Sequence, residues 1–250
     1  MRTKIDVKNI KMSFDTDKGR LPVIEDVSLC VKDGEFVAIV GPSGCGKSTL
    51  MNIVAGFVQP DSGSIAIDGL PRDKPNAKGI LISQRGSVFP WLTVQENLMF
   101  GLDGRSRTEK SKLADHYAAM VGLQGFENSY PHELSGGMLK RVELARALVV
   151  KPEILFMDEP FSALDALMSL LMRKELLRIL SEQRHTVMLI THDVEEAVSL
   201  ADRIFVLSNR PTRIRATFDV SVPHPRRLSD PIAQDLRVRI LRELGVDEAV

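Results

Sequence analysis

Short apolar runs of strand length alternate along the chain with segments of helical periodicity. The run EFVAIV at 35–40 is almost wholly apolar, which is typical of a buried, central strand. Further strands are predicted at 3–10, 23–31, 64–68 (an edge strand before a turn at Gly69), 79–83, 154–158, 186–191 and 203–208. Helices are predicted at 48–57, 194–201 and 230–244. This alternation predicts a mainly parallel sheet covered by helices on both faces.

One region departs from the alternation. Between about residues 86 and 150 the pattern contains no convincing strand, only helical segments at 94–102, 109–122 and 138–150. We therefore expect a single domain over 1–250 with a helical lobe inserted into an α/β body. The α/β part would consist of 1–85 and 151–250, and the helical part of 86–150.

Composition narrows the classes of function. Lys plus Arg and Asp plus Glu balance at 33 each, which disfavours bulk binding to nucleic acid or to an anionic membrane. Cys30 and Cys45 lack the spacing of metal ligands, so a reduced cytoplasmic protein without a disulfide is expected. No apolar run approaches the ~20 residues that cross a bilayer, so work at a membrane would depend on other chains.

The segment GPSGCGKST at 41–49 has the spacing of a phosphate-binding loop, and it lies between a buried strand and a helix as that motif requires. Backbone N–H groups and the positive end of the helix dipole can surround phosphates there. Lys47 is predicted to reach the β- and γ-phosphates, and Ser48 to ligate Mg²⁺. The residues predicted to contact the nucleotide are Gly41, Pro42, Ser43, Gly44, Cys45, Gly46, Lys47, Ser48 and Thr49.

The strand at 154–158 ends in Asp158, which is followed by Glu159. Ligands of open parallel sheets collect at the carboxyl ends of strands. Asp158 is therefore predicted to serve the Mg²⁺ ion, and Glu159 to orient and polarise the attacking water. In isolation such a pair would more simply be a solvated turn, but the phosphate loop favours the catalytic interpretation.

The phosphate loop, LSGGM (134–138), ILFMDEP (154–160), SALD (162–165) and THD (191–193), in this order, resemble the nucleotide-binding subunit of ABC transporters. The resemblance spans nearly the whole chain. It implies an α/β fold with a RecA-like P-loop NTPase core, a mainly parallel sheet, an N-terminal antiparallel β subdomain and an inserted α-helical subdomain. It also implies hydrolysis of ATP, with Mg²⁺ as the metal.

The resemblance assigns roles to four further residues. Gln84 matches the glutamine that contacts Mg²⁺ and the attacking water, and His192 matches the histidine that holds the γ-phosphate and positions Glu159. Taken alone, His192 would be an ordinary polar residue at a strand end. Asp165 matches the aspartate through which two nucleotide sites communicate across a dimer. Phe14 matches the aromatic residue that stacks on adenine, although Tyr is commoner there and a plain core Phe is the alternative.

The LSGGM segment places two glycines where a helix begins, although glycine disfavours helix. The resemblance implies that Ser135, Gly136 and Gly137 contact the γ-phosphate held by a second subunit, either another copy or a paralogous ATPase. Met138 stands where many members have Gln, and we expect activity to survive this difference.

LSGGM with RV…LARAL after it, and FPWLTVQEN at 89–97, resemble the ATPases of nitrate, sulfonate and taurine importers. This implies transmembrane permease partners, a solute-binding protein that acts indirectly, and a peripheral position on the cytoplasmic side of the inner membrane. Trp91 is predicted to anchor a permease helix, unless it merely pins the helical lobe. An ATPase of an exporter or lipid-transfer system, and a soluble ABC ATPase outside transport, are the alternatives. The solute is not determined by this chain.

Overall fold

The computed structural model describes residues 2–76, 78–84, 86–182 and 185–246, and only the backbone of Glu182. The strands are β1 (Thr3–Thr16), β2 (Gly19–Lys32), β3 (Phe36–Val40), β4 (Ser62–Ile67), β5 (Leu70–Pro71), β6 (Gly79–Ile82), β7 (Ile154–Asp158), β8 (Thr186–Thr191), β9 (Arg203–Leu207) and β10 (Thr212–Asp219). The helices are α1 (Lys47–Ala55), α2 (Val94–Met99), α3 (Arg107–Met120), α4 (Gly136–Val149), α5 (Ala166–Glu182), α6 (Val194–Leu200) and α7 (Pro231–Glu243), with a 3-10 turn at Pro131–Glu133.

The described strands form one ten-stranded mixed sheet in the order β5-β4-β1-β2-β10-β9-β3-β8-β7-β6. Its parallel part is built around β3, which pairs with β8 on one side and β9 on the other, while β7 links β8 to β6. All five residues of β3 are buried, as its apolar sequence predicts. Because successive side chains point to opposite faces, Ala38 and Ile39 belong to different hydrophobic cores on the two sides of the sheet.

The antiparallel part comes from the N-terminal third of the chain. β1 pairs antiparallel with both β2 and β4, and β10 joins this part to β9. The turn predicted at Gly69 is confirmed, since Asp68 and Gly69 both have positive φ between β4 and β5. The strand predicted at 64–68 is present as β4, but its predicted edge position is wrong, because the two-residue β5 pairs on the outer side of β4.

The described residues between 86 and 150 contain helices and no strand, as the pattern predicts. The starts of two of these helices are explained by local sequence. Thr93 with Glu96 and Ser106 with Glu109 form capping boxes. In each pair, the side chain of one residue accepts a hydrogen bond from the backbone N–H of the other residue. α2 ends at Met99, a little earlier than predicted.

Apart from the short 3-10 turn, three elements were absent from the sequence-based prediction, namely the helix α5 and the strands β5 and β10. β10 has the alternating exposure of a half-buried strand and connects the two parts of the sheet. Among the described residues, no helix combines the length and apolarity needed to cross a bilayer.

Candidate nucleotide site

The loop between β3 and α1 is shaped by two glycines in the left-handed region. Gly44 has a φ of 71° and Gly46 a φ of 111°, and a Cβ on Gly46 would lie 2.8 Å from Cγ1 of Val23. Only glycine fits such a position without strain. The hydroxyl of Thr212 donates a hydrogen bond to the carbonyl oxygen of Cys45 and fixes the loop against β10.

Lys47 is buried at the start of α1 and turns back toward the loop. Its Nζ donates hydrogen bonds to the carbonyl oxygens of Gly41 (2.8 Å) and Pro42 (3.0 Å). The ammonium group is therefore held close to the backbone of the loop that precedes α1. A fixed cation at the N-terminus of a helix favours an anion such as a phosphate chain.

A cleft of about 390 Å³ opens over this loop. Half of its lining residues come from 43–49, and Phe14, Gln84 and Glu159 are among those from other parts of the chain. Phe14 pairs with Leu21 across β1 and β2, is exposed, and belongs to neither hydrophobic core. This location favours the ligand-facing role predicted for Phe14 over that of a core side chain.

Asp158 ends β7 in a buried position close to the loop. Burial raises the pKa of its carboxyl group, while the Ser48 hydroxyl and the Lys47 ammonium lower it in part. Its Oδ1 has no hydrogen-bond partner among the described residues. A buried carboxylate oxygen without a donor, beside a serine hydroxyl, is a suitable ligand pair for a hard cation such as Mg²⁺.

The described residues contain no group of three or more His, Cys, Asp and Glu side chains that would enclose a metal ion. At nucleotide sites Mg²⁺ takes one or two protein ligands, such as Ser48 and Asp158 would supply, and phosphate oxygens and water complete its coordination. The residues present therefore fit a magnesium ion that arrives with a nucleotide.

Glu159 lies at the junction of three strand ends. Its Oε1 is 3.3 Å from Nδ1 of His192, which follows β8, and its Oε2 accepts a hydrogen bond of 3.3 Å from Nε2 of Gln84, beyond β6. The backbone of Glu159 is left-handed, with a φ of 50°, and its N–H donates to the carbonyl oxygen of Ile190. Strained non-glycine residues of this kind are concentrated at functional sites.

The LSGGM segment does not line this cleft. Ser135 caps α4 by accepting a hydrogen bond from the N–H of Met138 at 3.3 Å, and both Ser135 and Gly136 are exposed. Asp165 is also absent from the cleft lining, and its Oδ1 accepts a hydrogen bond from the N–H of Met168 at the start of α5. The predicted residues therefore lie in two separate regions of the chain, the phosphate-loop region and the LSGGM segment with the neighbouring Asp165.

Arg210 lines the cleft and was not predicted from the sequence. A Cβ added to Gly44 would lie 3.8 Å from Nη2 of Arg210, so the guanidinium group is close to the phosphate loop. A signal was available, since Arg210 follows the carboxyl end of β9, and ligands collect at such ends of parallel strands.

Comparisons with known proteins agree with this geometry. The family model described as ABC transporter matches residues 24–162, more than half of the chain. The nitrate import ATP-binding protein NrtD of Synechococcus elongatus is 40% identical over 94% of this chain and 87% of its own length. The aliphatic sulfonates import ATP-binding protein SsuB of Bacillus cereus is 38% identical over 96% of this chain and 95% of its own length.

A solved structure extends the likeness to three dimensions. The dimeric, post-hydrolysis ATP-binding cassette MJ0796 with ADP and Pi superposes with a TM-score of 0.80 at 30% identity, covering 88% of this chain and 100% of that one. The predicted fold class is therefore confirmed as the ABC cassette fold, with its N-terminal antiparallel strands. The chain belongs to the ABC transporter family, in which it is an ATP-binding subunit and an ABC ATPase.

Proposed function

We propose that this ATPase drives import of a small solute through a separate membrane permease, working as one of a pair of cassettes. The observation that carries the catalytic part is the meeting of Gln84 and His192 on the two carboxylate oxygens of Glu159, at the rim of the phosphate-loop cleft. A carboxylate held between two polar side chains beside a nucleotide cleft is suited to orient and polarise a water molecule.

In this proposal the cleft holds ATP with Mg²⁺. Lys47 and the backbone of 43–49 bind the phosphates, Arg210 adds a second cation beside the loop, and Phe14 contacts the adenine. Ser48, Asp158 and Gln84 are the ligands assigned to Mg²⁺, which neutralises charge on the β- and γ-phosphates when bound. The unpartnered Oδ1 of Asp158 supports this assignment.

Glu159 is then the general base, and its two neighbours act differently. Gln84 donates to Oε2 and keeps the carboxylate turned toward the cleft. His192 lies 3.3 Å from Oε1 through its Nδ1, and in this proposal it also binds the γ-phosphate. Removal of the base should abolish turnover while leaving nucleotide binding intact, because binding depends mainly on the loop.

A second cassette would complete each site. Ser135 and Gly136 are exposed at the N-terminus of α4, and Gly136 has no neighbour within 4 Å of an added Cβ. Backbone N–H groups at such an end attract a phosphate, so this segment would close over the γ-phosphate of a facing copy or paralogue. A Cβ added to Gly137 would lie 3.4 Å from the carbonyl oxygen of Ala163, so Asp165, two residues further on, is near this segment and would link the two sites. The dimeric state of the related cassette MJ0796 supports this arrangement.

Residues 86–150 would form a helical subdomain that meets the permease. Phe89, Trp91 and Phe100 form an aromatic patch on its surface, with ring centroids 5.5 Å apart for Phe89–Trp91 and 4.5 Å for Phe89–Phe100. Trp91 is 69% exposed, which disfavours the alternative that it only pins the helices to the core. Exposed aromatic residues are typical anchors of protein interfaces.

The aromatic patch is joined to the catalytic region by side chains of α4. Arg146 stacks over the Phe89 ring at 4.5 Å, and Lys140 donates a hydrogen bond of 2.8 Å to the carbonyl oxygen of Ser83, next to Gln84. A permease helix on the patch would therefore be coupled mechanically to Gln84.

The identities with nitrate and sulfonate import proteins support the importer assignment and leave the solute open. The chain would be peripheral to the cytoplasmic face of the membrane, and a solute-binding protein would act on it only through the permease.

The test is reconstitution in proteoliposomes with the permease and the solute-binding protein encoded beside this chain. ATP-dependent uptake of nitrate, taurine or an alkanesulfonate, stimulated by the loaded binding protein and lost with Glu159→Gln, is the expected result. A matched chain with Trp91→Ala should hydrolyse ATP alone but lose stimulation by the permease. In this arrangement the vesicle interior, which contains ATP, corresponds to the cytoplasm. Hydrolysis that does not respond to any binding protein, together with transport from the interior to the outside, would favour an exporter instead.

A further inference from the structure

The turn that carries His192 is tied together by one hydroxyl group. Thr191, the buried last residue of β8, donates a hydrogen bond of 2.5 Å to Oε2 of Glu196. The same hydroxyl oxygen accepts a hydrogen bond of 3.0 Å from the backbone N–H of Asp193. The residues on both sides of His192 are thus linked through Thr191, and the direction of that link is set by Glu196.

Packing does not hold the His192 side chain in place, since it is 61% exposed. Its position 3.3 Å from Glu159 therefore depends on the backbone of the turn. The helix that follows does not require Glu196 either. Asp193 already caps α6 by accepting hydrogen bonds from the N–H groups of Glu195 and Glu196.

Glu196 is a costly residue at this position. It is almost fully buried, and its Oε1 has no hydrogen-bond partner among the described residues. An unpaired buried carboxylate oxygen destabilises a fold, so its presence in a native protein calls for an explanation. The charged groups that face it are Arg173 from α5 and His192 and Asp193 from the turn.

We propose that Glu196 is a positioning residue for ATP hydrolysis, which acts through the Thr191 hydroxyl to hold His192 against Glu159. This inference rests on the catalytic roles proposed above for His192 and Glu159. An ionised carboxylate can only accept, so Thr191 must donate to it, and the lone pairs of Thr191 are left for the N–H of Asp193. Protonation of Glu196 replaces this charge-assisted hydrogen bond with a weaker neutral one, which loosens the turn.

The hydrogen bonds that fix the His192 turn should therefore become stronger as Glu196 ionises. Burial raises the pKa of the Glu196 carboxyl to about 7, while the Thr191 hydrogen bond and Arg173 lower it in part. Below this pH the carboxyl is protonated and the turn is loose; above it the carboxylate fixes the turn. The part of kcat that depends on Glu196 is expected to rise with pH through about 7.

A matched pair at Thr191 tests the link. Thr191→Val removes the hydroxyl with little change of shape, whereas Thr191→Ser keeps it. We expect Thr191→Val to lower kcat roughly ten- to hundredfold, since misplacement of a catalytic group by about 1 Å has effects of this size. Thr191→Ser should retain most of kcat, and the Kd for ATP should change less than about twofold in both, because Thr191 does not line the cleft.

Glu196→Gln tests the proposal through the pH dependence of kcat, which would not change if Glu196 were purely structural. The ratio of wild-type to variant kcat should rise with pH between about 6 and 8, because the amide cannot ionise. A ratio that is independent of pH, or equal kcat values for Thr191→Val and Thr191→Ser, would overturn the proposal. Unchanged ATP affinity in each variant shows that it is folded.

His192→Ala separates this inference from the function on which it rests. If His192→Ala keeps wild-type kcat, the proposed catalytic role of His192 is wrong. If His192→Ala loses kcat while Thr191→Val does not, only the role assigned to Glu196 and Thr191 is wrong.

Discussion

Two glycine-containing segments of this chain look alike in sequence and differ in what surrounds them. In the phosphate loop, a Cβ on Gly46 would meet Val23 at 2.8 Å, and one on Gly41 would meet Sγ of Cys45 at 3.0 Å. In LSGGM, a Cβ on Gly136 would meet nothing within 4 Å, and the residue has ordinary helical geometry in α4. The loop glycines are required by the chain's own fold, whereas nothing in the described chain requires Gly136. Open space at Gly136 is what the proposed role of the second segment in a partner's site leads us to expect.

The largest effect is expected from Gly46→Ala. The substitution forces alanine to a φ of 111° and into contact with Val23, so the phosphate loop must shift. We expect the affinity for ATP to fall by about 100-fold or more, which corresponds to about 3 kcal/mol of binding free energy. Isothermal titration with ATP and Mg²⁺ measures this directly.

Gly69→Ala is the matched control for Gly46→Ala. Gly69 also has a positive φ, of 78°, but it lies in the turn between β4 and β5 with nothing within 4 Å of an added Cβ. This variant should lose some stability and keep its ATP affinity. Equal affinities for Gly46→Ala and Gly69→Ala would contradict the role assigned to the loop.

An intermediate effect is expected when two inactive variants are mixed. A dimer of Lys47→Ala lacks the phosphate-loop lysine in both sites, and a dimer of Ser135→Arg blocks both LSGGM segments. A mixed dimer restores one site with both parts intact, so random mixing should recover up to about a quarter of the wild-type ATPase rate if sites are shared across a two-fold axis. Verified mixed dimers without any hydrolysis would argue against shared sites.

The smallest effect is expected from Gly136→Ala. Alanine favours helix over glycine by close to 1 kcal/mol, and Gly136 occupies the first turn of α4 without a close neighbour. Thermal unfolding should therefore show an unchanged or slightly higher Tm. Hydrolysis should fall several-fold nonetheless, because the added methyl group enters the surface that faces the second ATP. Unchanged hydrolysis would leave Gly136 without a role in the partner's site.

Sequence patterns between neighbouring residues predicted most helices and strands and the phosphate-binding part of the site. The phosphate loop was recognisable because its glycines, Lys47 and Ser48 are consecutive and lie between a buried strand and a helix. α5 escaped prediction because apolar residues occur on its exposed face as well, among them Leu167, Leu170 and Leu171, which blurs the helical period. β10 escaped although it follows β9 closely, because its pairing with β2, which links the two parts of the sheet, involves residues that are distant in the chain.

The sequence by itself determined the buried β3 strand, the phosphate loop and the family to which the chain belongs. These features depend on residues that are neighbours along the chain, so spacing and periodicity are enough to recognise them. Only the tertiary structure decided that Gln84, Glu159 and His192 meet within hydrogen-bonding distance, that Arg210 joins the phosphate loop and that Glu196 reaches Thr191. Most of these contacts come from the order β9-β3-β8-β7-β6, which brings together strand ends far apart in sequence through long-range pairing and burial. The role of LSGGM is decided by neither, since Ser135 and Gly136 are exposed and a Cβ on Gly136 would meet nothing within 4 Å in the described chain.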